Sequence, residues 1–257
     1  KQSEEMDKEF PLQSLFSHTV FDSSGNMPRK YDSEAEKKYY SLLRQYQFSL
    51  ITGEVLVKVL FEELIDAGKL DLDSIMKYIA DHLWYGREYE LLDPDTKAVD
   101  LKSKKWIDIL RPGIKSYLMC LETIKDKNVE EARTNLILAI DSLTPKIEGL
   151  IREFYETIGK SVDKIKPKSG GKNHTTEKKD IADLLREPYA EEIFGNDLLI
   201  LMKYVLIELG GYNLRNNVSH SLMFRENYLL SYGHWVFIIL LRIGAYQISI
   251  KPNEEPK

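Results

Sequence analysis

Cysteine is almost absent: a single thiol, Cys120, stands in 257 residues, so neither an internal disulfide nor a paired-cysteine zinc site can form. Its surroundings, GIKSYLMCLETI, have a helical pattern in which a small buried residue fits. A chain of this size without disulfides suits a reducing compartment, and the cytoplasm is the expected location. Glycine-rich phosphate loops, a His-Glu-x-x-His stretch and a G-x-S-x-G elbow are all missing. That excludes P-loop nucleotide hydrolysis, helix-borne zinc hydrolysis and the α/β-hydrolase type of serine chemistry, and no metal or cofactor is expected. Positive charge is not in excess either. The formal net charge is -5, so an anionic polymer would need a local patch. The longest apolar run, WVFIILLRIGAYQISI, is interrupted by Arg242 and too short for a bilayer, which predicts a buried helix and no membrane partner. The opening KQSEEMDKEF is charged where a signal peptide is apolar, and a first residue of Lys1 reads as a piece of a longer protein.

What is present is helical periodicity. Residues 1–30 look irregular, with turn signals at DSSGN and Pro28. From Ser33 a Ser33-x-x-Glu36 capping box opens a helical pattern that ends near Gly68, long enough to be one arm or to break near Thr52-Gly53. LDLDSIMKYIADHLW repeats the period with Ile75, Ile79 and Leu83, a cap at Asp73 or Ser74, and His82 as a half-buried structural histidine. A loop-like stretch follows, and Trp106 to Leu110 lead into Arg111-Pro112-Gly113. Beyond it IKSYLMCLETIKDKN and VEEARTNLILAIDSLTPKIEGLIREFYETIG read as two helices, with Pro145 starting a turn or kinking the second. PKSGGKNHTTEKKD has the polar, glycine-containing composition of a linker. Strand signals are sparse, and no repeat or heptad array is found. The expectation is an all-α antiparallel bundle: an irregular segment 1–30, a helical region 31–160, a linker 161–179, and a helical hairpin 180–250 packed with the preceding helices as one domain.

One stretch breaks the local rules. GYNLRNNVSH, residues 211–220, is polar between the apolar runs NDLLILMKYVLIEL and HWVFIILLRIGAY. Gly210-Gly211 should stop one helix, Asn213 should cap the next, and Leu214 should begin it. Arg215 then falls in the first turn, where the helix dipole favours anions and not cations. An anion at that helix start would reconcile the two, with a guanidinium gripping a phosphate and His220, an imidazole, handling protons. Asn216 and His220 share a face, while Arg215 is rotated about 140° from His220. The alternative is structural: the polar side chains cap neighbouring helix ends and His220 is a satisfied core histidine. Tyr212 and Asn217 flank the motif as candidate substrate contacts. Arg225, at the expected end of the motif helix, is a candidate second phosphate contact or simply a C-terminal helix charge. The basic runs at 102–105, 164–172 and 178–179 read as solvated loops more readily than as an RNA track.

The stretch NLRNNVSH resembles the Arg, four-to-six residues, His motif of the HEPN superfamily (higher eukaryotes and prokaryotes nucleotide-binding domains). It is most similar to a family of unknown function within it that carries G-x-NLRN-x-x-x-H after a long apolar helix. GGYNLRNNVSH, the upstream LTPKIEGLIREFYETIG and the downstream tryptophan helix carry the resemblance, from about Leu143 to Tyr246. It implies a bundle of HEPN type with additional N-terminal helices. It also implies a metal-independent endoribonuclease, acting in a toxin or phage-defence role, that cleaves by 2′-hydroxyl attack. Arg215 matches the motif arginine, Asn216 the polar residue after it and His220 the motif histidine. RNA is the implied substrate, and a homodimer through the motif-bearing helices is the implied assembly. Other members only bind nucleotides or RNA, or dimerise, and that non-catalytic reading stays open. Family members have glycine after the histidine, where this chain has Ser221.

Overall fold

Ser33 opens the first helix as the sequence predicts. Its hydroxyl accepts from the Glu36 amide (3.3 Å) and the Glu36 carboxylate accepts from the Ser33 amide (3.2 Å), so two otherwise orphaned donors are satisfied reciprocally. Helix α1 then runs Glu34–Asp66 as one element, with no break at Thr52-Gly53. Gly53 faces the Trp235 ring at 3.5 Å from where its Cβ would be, and one glycine costs a 33-residue helix only about 1 kcal/mol. The structure is a computed structural model that describes residues 18–20, 29–86, 91–92, 99–100, 105–167 and 174–246.

Helix α2 spans Leu72–His82, capped by Asp71 and not by Asp73 or Ser74: the Asp71 carboxylate accepts from the Ser74 amide at 2.8 Å. His82 ends it exposed beside Tyr78, and is not the half-buried residue its neighbours Leu83 and Trp84 suggested. Helix α3 is Trp106–Lys125 and α4 is Val129–Thr157, and both run through their prolines, Pro112 and Pro145. Helix α3 continues through Arg111-Pro112-Gly113 because burial overrides the local penalty of the proline. Trp106, Leu110, Gly113, Ile114 and Tyr117 form one continuous buried face, and a Cβ on Gly113 would come within 2.7 Å of Leu143 on α4. The short turn at 126–128 makes α3 and α4 an antiparallel hairpin.

The segment expected to be a linker is instead framed by β-structure. Strands Asp163–Pro167 and His174–Lys178 pair antiparallel. Two shorter antiparallel pairs, His18–Val20 with Arg29–Tyr31 and Leu91–Leu92 with Val99–Asp100, are the other described strands. The hairpin's lysines are already engaged: Lys164 with Asp183, Lys166 with Glu177, Lys178 with Glu156, Lys179 with Glu187. Lys102 to Lys104, Lys168 and Lys172 lie outside the described residues.

After the hairpin come α5 (Ile181–Leu185), α6 (Ala190–Leu206, bent at Gly195 with φ 69°), α7 (Leu214–Ser219) and α8 (Leu230–Gly244). The molecule is an all-α helical bundle whose core is continuous from Leu43 on α1 to Ile243 on α8. Two buried rings reach carbonyls of the last helix. The Trp84 indole donates to the Ile243 carbonyl (2.9 Å) and the Tyr85 hydroxyl to that of Leu240 (3.0 Å), near the end of α8. Cys120 is buried, and burial pushes its thiol up to about 12, so it stays an inert core residue. Among the described residues no helix is long and apolar enough to cross a membrane.

Candidate functional site

The motif rests on a short helix whose two ends are both in left-handed backbone. Gly211 allows the chain to double back: its Cβ would fall 2.2 Å from the Tyr204 carbonyl, which accepts from the Tyr212 amide at 2.9 Å. Asn213 then occupies the N-cap position, as expected, but at φ 49° and without capping the helix through its side chain. Its side-chain oxygen accepts instead from Asn216 Nδ2 at 2.9 Å. Helix α7 lasts six residues, Leu214–Ser219, anchored by the fully buried Leu214, and His220 is its C-cap.

Ser221 accounts for the departure from the glycine of the motif it resembles. It has φ 54°; its amide bonds to the Val218 carbonyl (3.1 Å), and the Leu222 amide to that of Asn217 (2.8 Å). This pair of bonds is a Schellman ending, whose left-handed position usually takes glycine. The helix therefore ends well before Arg225, which lies in a separate turn, Arg225–Asn227, and not at the end of the motif helix. Arg225 is ion-paired with Glu130 at the start of α4.

Arg215 is held from below. Its Nε donates to Glu148 on α4 at 3.0 Å, and its terminal nitrogen lies 3.5 Å from the Asn216 side-chain oxygen. The other Glu148 oxygen takes Arg152 at 2.7 Å, and the same Arg152 nitrogen donates to the Lys179 carbonyl at 3.0 Å. Two guanidiniums thus share one carboxylate, leaving one unit of positive charge. All three side chains are only 15–25% exposed, so solvent screens that charge less than it would on an open surface. Glu148 and Arg152 are the residues sequence reasoning passed over. Their i,i+4 spacing looks like any helix-surface pair, and only the fold sets Glu148 beneath Arg215.

His220 is exposed, and no hydrogen bond or ion pair joins it to Arg215. The helical rotation between positions 215 and 220 turns the guanidinium onto α4 and the imidazole to solvent. His220 therefore is not the satisfied core histidine of the structural alternative. Asn217 donates to the Tyr212 carbonyl at 3.0 Å. Tyr212 is half-buried in a layer of rings, 5.0 Å from Tyr204 and 4.6 Å from Tyr232. Burial first, then the Glu54 carboxylate, pushes its phenol up to about 12, so it stays protonated at neutral pH. Among the described residues no group of three acidic, histidine or cysteine side chains is arranged to hold a metal. Compared with known proteins, the chain matches no family model, no curated protein and no solved structure.

Proposed function

We propose that the segment from Arg215 to His220 is the working centre of a HEPN-like, metal-independent endoribonuclease. The observation that supports this most directly is the Arg215–Glu148–Arg152 cluster. A carboxylate fixes the arginine through Nε and leaves the outer edge of its guanidinium for a phosphate. RNA brings its own nucleophile: a base removes the 2′-hydroxyl proton, the 2′-oxygen bonds to the adjacent phosphorus, and the 5′-oxygen leaves with a proton from an acid. His220 is the proton-transfer group, Arg215 stabilises charge on the phosphorane-like oxygens, and Asn216 orients Arg215. The products are a 2′,3′-cyclic phosphate and a 5′-hydroxyl. A single chain supplies one histidine for two proton transfers, so the reading includes a homodimer in which a second His220 completes the site. A toxin or phage-defence role is the setting that the motif's resemblance implies.

A second reading, a non-catalytic RNA- or nucleotide-binding module, is favoured by one feature: Arg215 and His220 do not meet within the chain. End-labelled tRNA and unstructured RNA incubated with the protein in EDTA separate the two. Cleavage to cyclic phosphate ends, lost by on the order of 100-fold or more in both His220→Ala and Arg215→Ala with helicity unchanged, supports the ribonuclease. RNA binding without cleavage leaves the binding module.

A further inference from the structure

Only three residues of α1 are buried along its 33-residue length: Leu43, Leu50 and Phe61. On its other side Phe48, Ile51, Val55, Leu56 and Val59 are each more than half exposed, Phe48 at 74%, with exposed Thr52 among them. Counted from Phe48, the other five lie 3, 4, 7, 8 and 11 residues on, which keeps all six on one helix face. A continuous apolar stripe of this kind is an interaction surface, not scattered surface hydrophobicity. Near the motif, α6 and α8 bury most of their apolar residues within the chain, and the exposed apolar residues between α7 and α8, Leu222, Phe224 and Leu229, lie in a non-helical stretch and turn and not on one helix face.

We propose that this stripe packs against the same stripe of a second copy, the two α1 helices running antiparallel across a two-fold axis between Gly53 and Glu54. The sequence is self-complementary about that point. The two-fold sets Phe48 opposite Val59, Ile51 opposite Leu56 and Thr52 opposite Val55, so these six map onto one another, as an isologous interface requires, while exposed Leu60 falls opposite Gln47 at the edge of the seam. Exposed Arg44 falls opposite exposed Glu63. Within the seam, positions 44–50 hold Arg44 and no acid, whereas 54–63 hold Glu54, Glu62 and Glu63 against Lys58. Antiparallel pairing sets Arg44 of each copy against Glu63 of the other, while parallel pairing would set like residues side by side. The twenty positions from 44 to 63 span about 30 Å, several turns of continuous contact.

The evidence for this pairing is the α1 surface alone, and it stands apart from the ribonuclease reading: Glu54 is turned away from the stripe, toward Tyr212 and Tyr232, whose phenols its carboxylate helps to raise after burial has done so.

Sedimentation equilibrium of the whole chain without RNA is the test. The expected result is a dimer that Val55→Glu weakens by about 100-fold, because a charge enters the centre of the seam. Arg44→Glu and Glu63→Arg should each weaken it by about tenfold, and the double variant should recover, since the swap restores opposite charges. Arg44, Val55 and Glu63 are all exposed within the chain, and circular dichroism checks that α1 persists in each variant. A monomer at about 100 μM, whether or not lipid vesicles or another protein then occupy the stripe, overturns the proposal. So does a dimer indifferent to Val55→Glu, and failure of the charge swap to recover overturns the antiparallel register. Arg215→Ala must leave the dimer intact, so loss of cleavage and loss of pairing are read separately.

Discussion

Ser221 shows how much of this site is set by a single backbone angle. A non-glycine residue at φ 54° is held against its own steric preference by the two bonds that close α7, at a cost of about 1 kcal/mol. Ser221→Gly should therefore raise unfolding stability by roughly 0.5–1 kcal/mol, read as a higher urea midpoint with an unchanged slope. No change, or a fall, would mean that the serine side chain contributes more than its backbone costs. The motif itself was legible because Arg215, Asn216 and His220 are local in sequence and violate a local rule. Glu148 was not, because a carboxylate on a helix surface carries no mark of the arginine it will meet 67 positions later.

At the scale of elements, the first helix start was easier to read than helix stops and breaks. The Ser33 capping box depends on neighbours in sequence and behaves as expected. The Gly210-Gly211 stop, Pro112 and the hairpin at 163–178 do not: α6 already ends at Leu206, and the other two are decided by what packs or pairs across the chain. The α3–α4 crossing makes this quantitative. Gly113 allows the two backbones to approach, with Leu143 already 2.7 Å from where a Cβ would sit. Gly113→Val should cost about 2 kcal/mol by overpacking, even though valine is the better helix former. Thermal unfolding followed by circular dichroism checks it, and a neutral or stabilising result would show that the crossing is slack.

At the scale of the whole molecule, His234 ties three helices together. Its ring is buried on α8, lies 5.2 Å from the Phe61 ring of α1 and shares a hydrogen bond at Nδ1 with the Tyr117 hydroxyl of α3 at 2.5 Å. Burial first, then the nearby Lys58, lowers its pKa to about 4. The folded protein thus binds this proton less readily than the unfolded chain, whose histidines titrate near about 6.5. Stability is full above about pH 6.5 and is lost as pH falls from there towards about 4, by roughly 2–3 kcal/mol. Urea midpoints between about pH 7.5 and 4.5 should fall along this curve, and those of His234→Gln should fall less. Parallel curves for the two proteins would show that other groups carry the acid sensitivity.

The all-α class, the positions of the main helices and the Arg215-to-His220 motif were determined by the sequence alone, since periodicity, caps and local rule-breaking are properties of neighbouring residues. Tertiary structure decided the rest. It ran two helices through prolines because their buried faces were continuous, turned a polar linker into a paired hairpin, and set Glu148 and Arg152 under Arg215. Among the described residues it left His220 exposed and the α1 stripe uncovered. Each of these depends on which distant surfaces are buried together, and that is a property of the packed chain and not of any window along it.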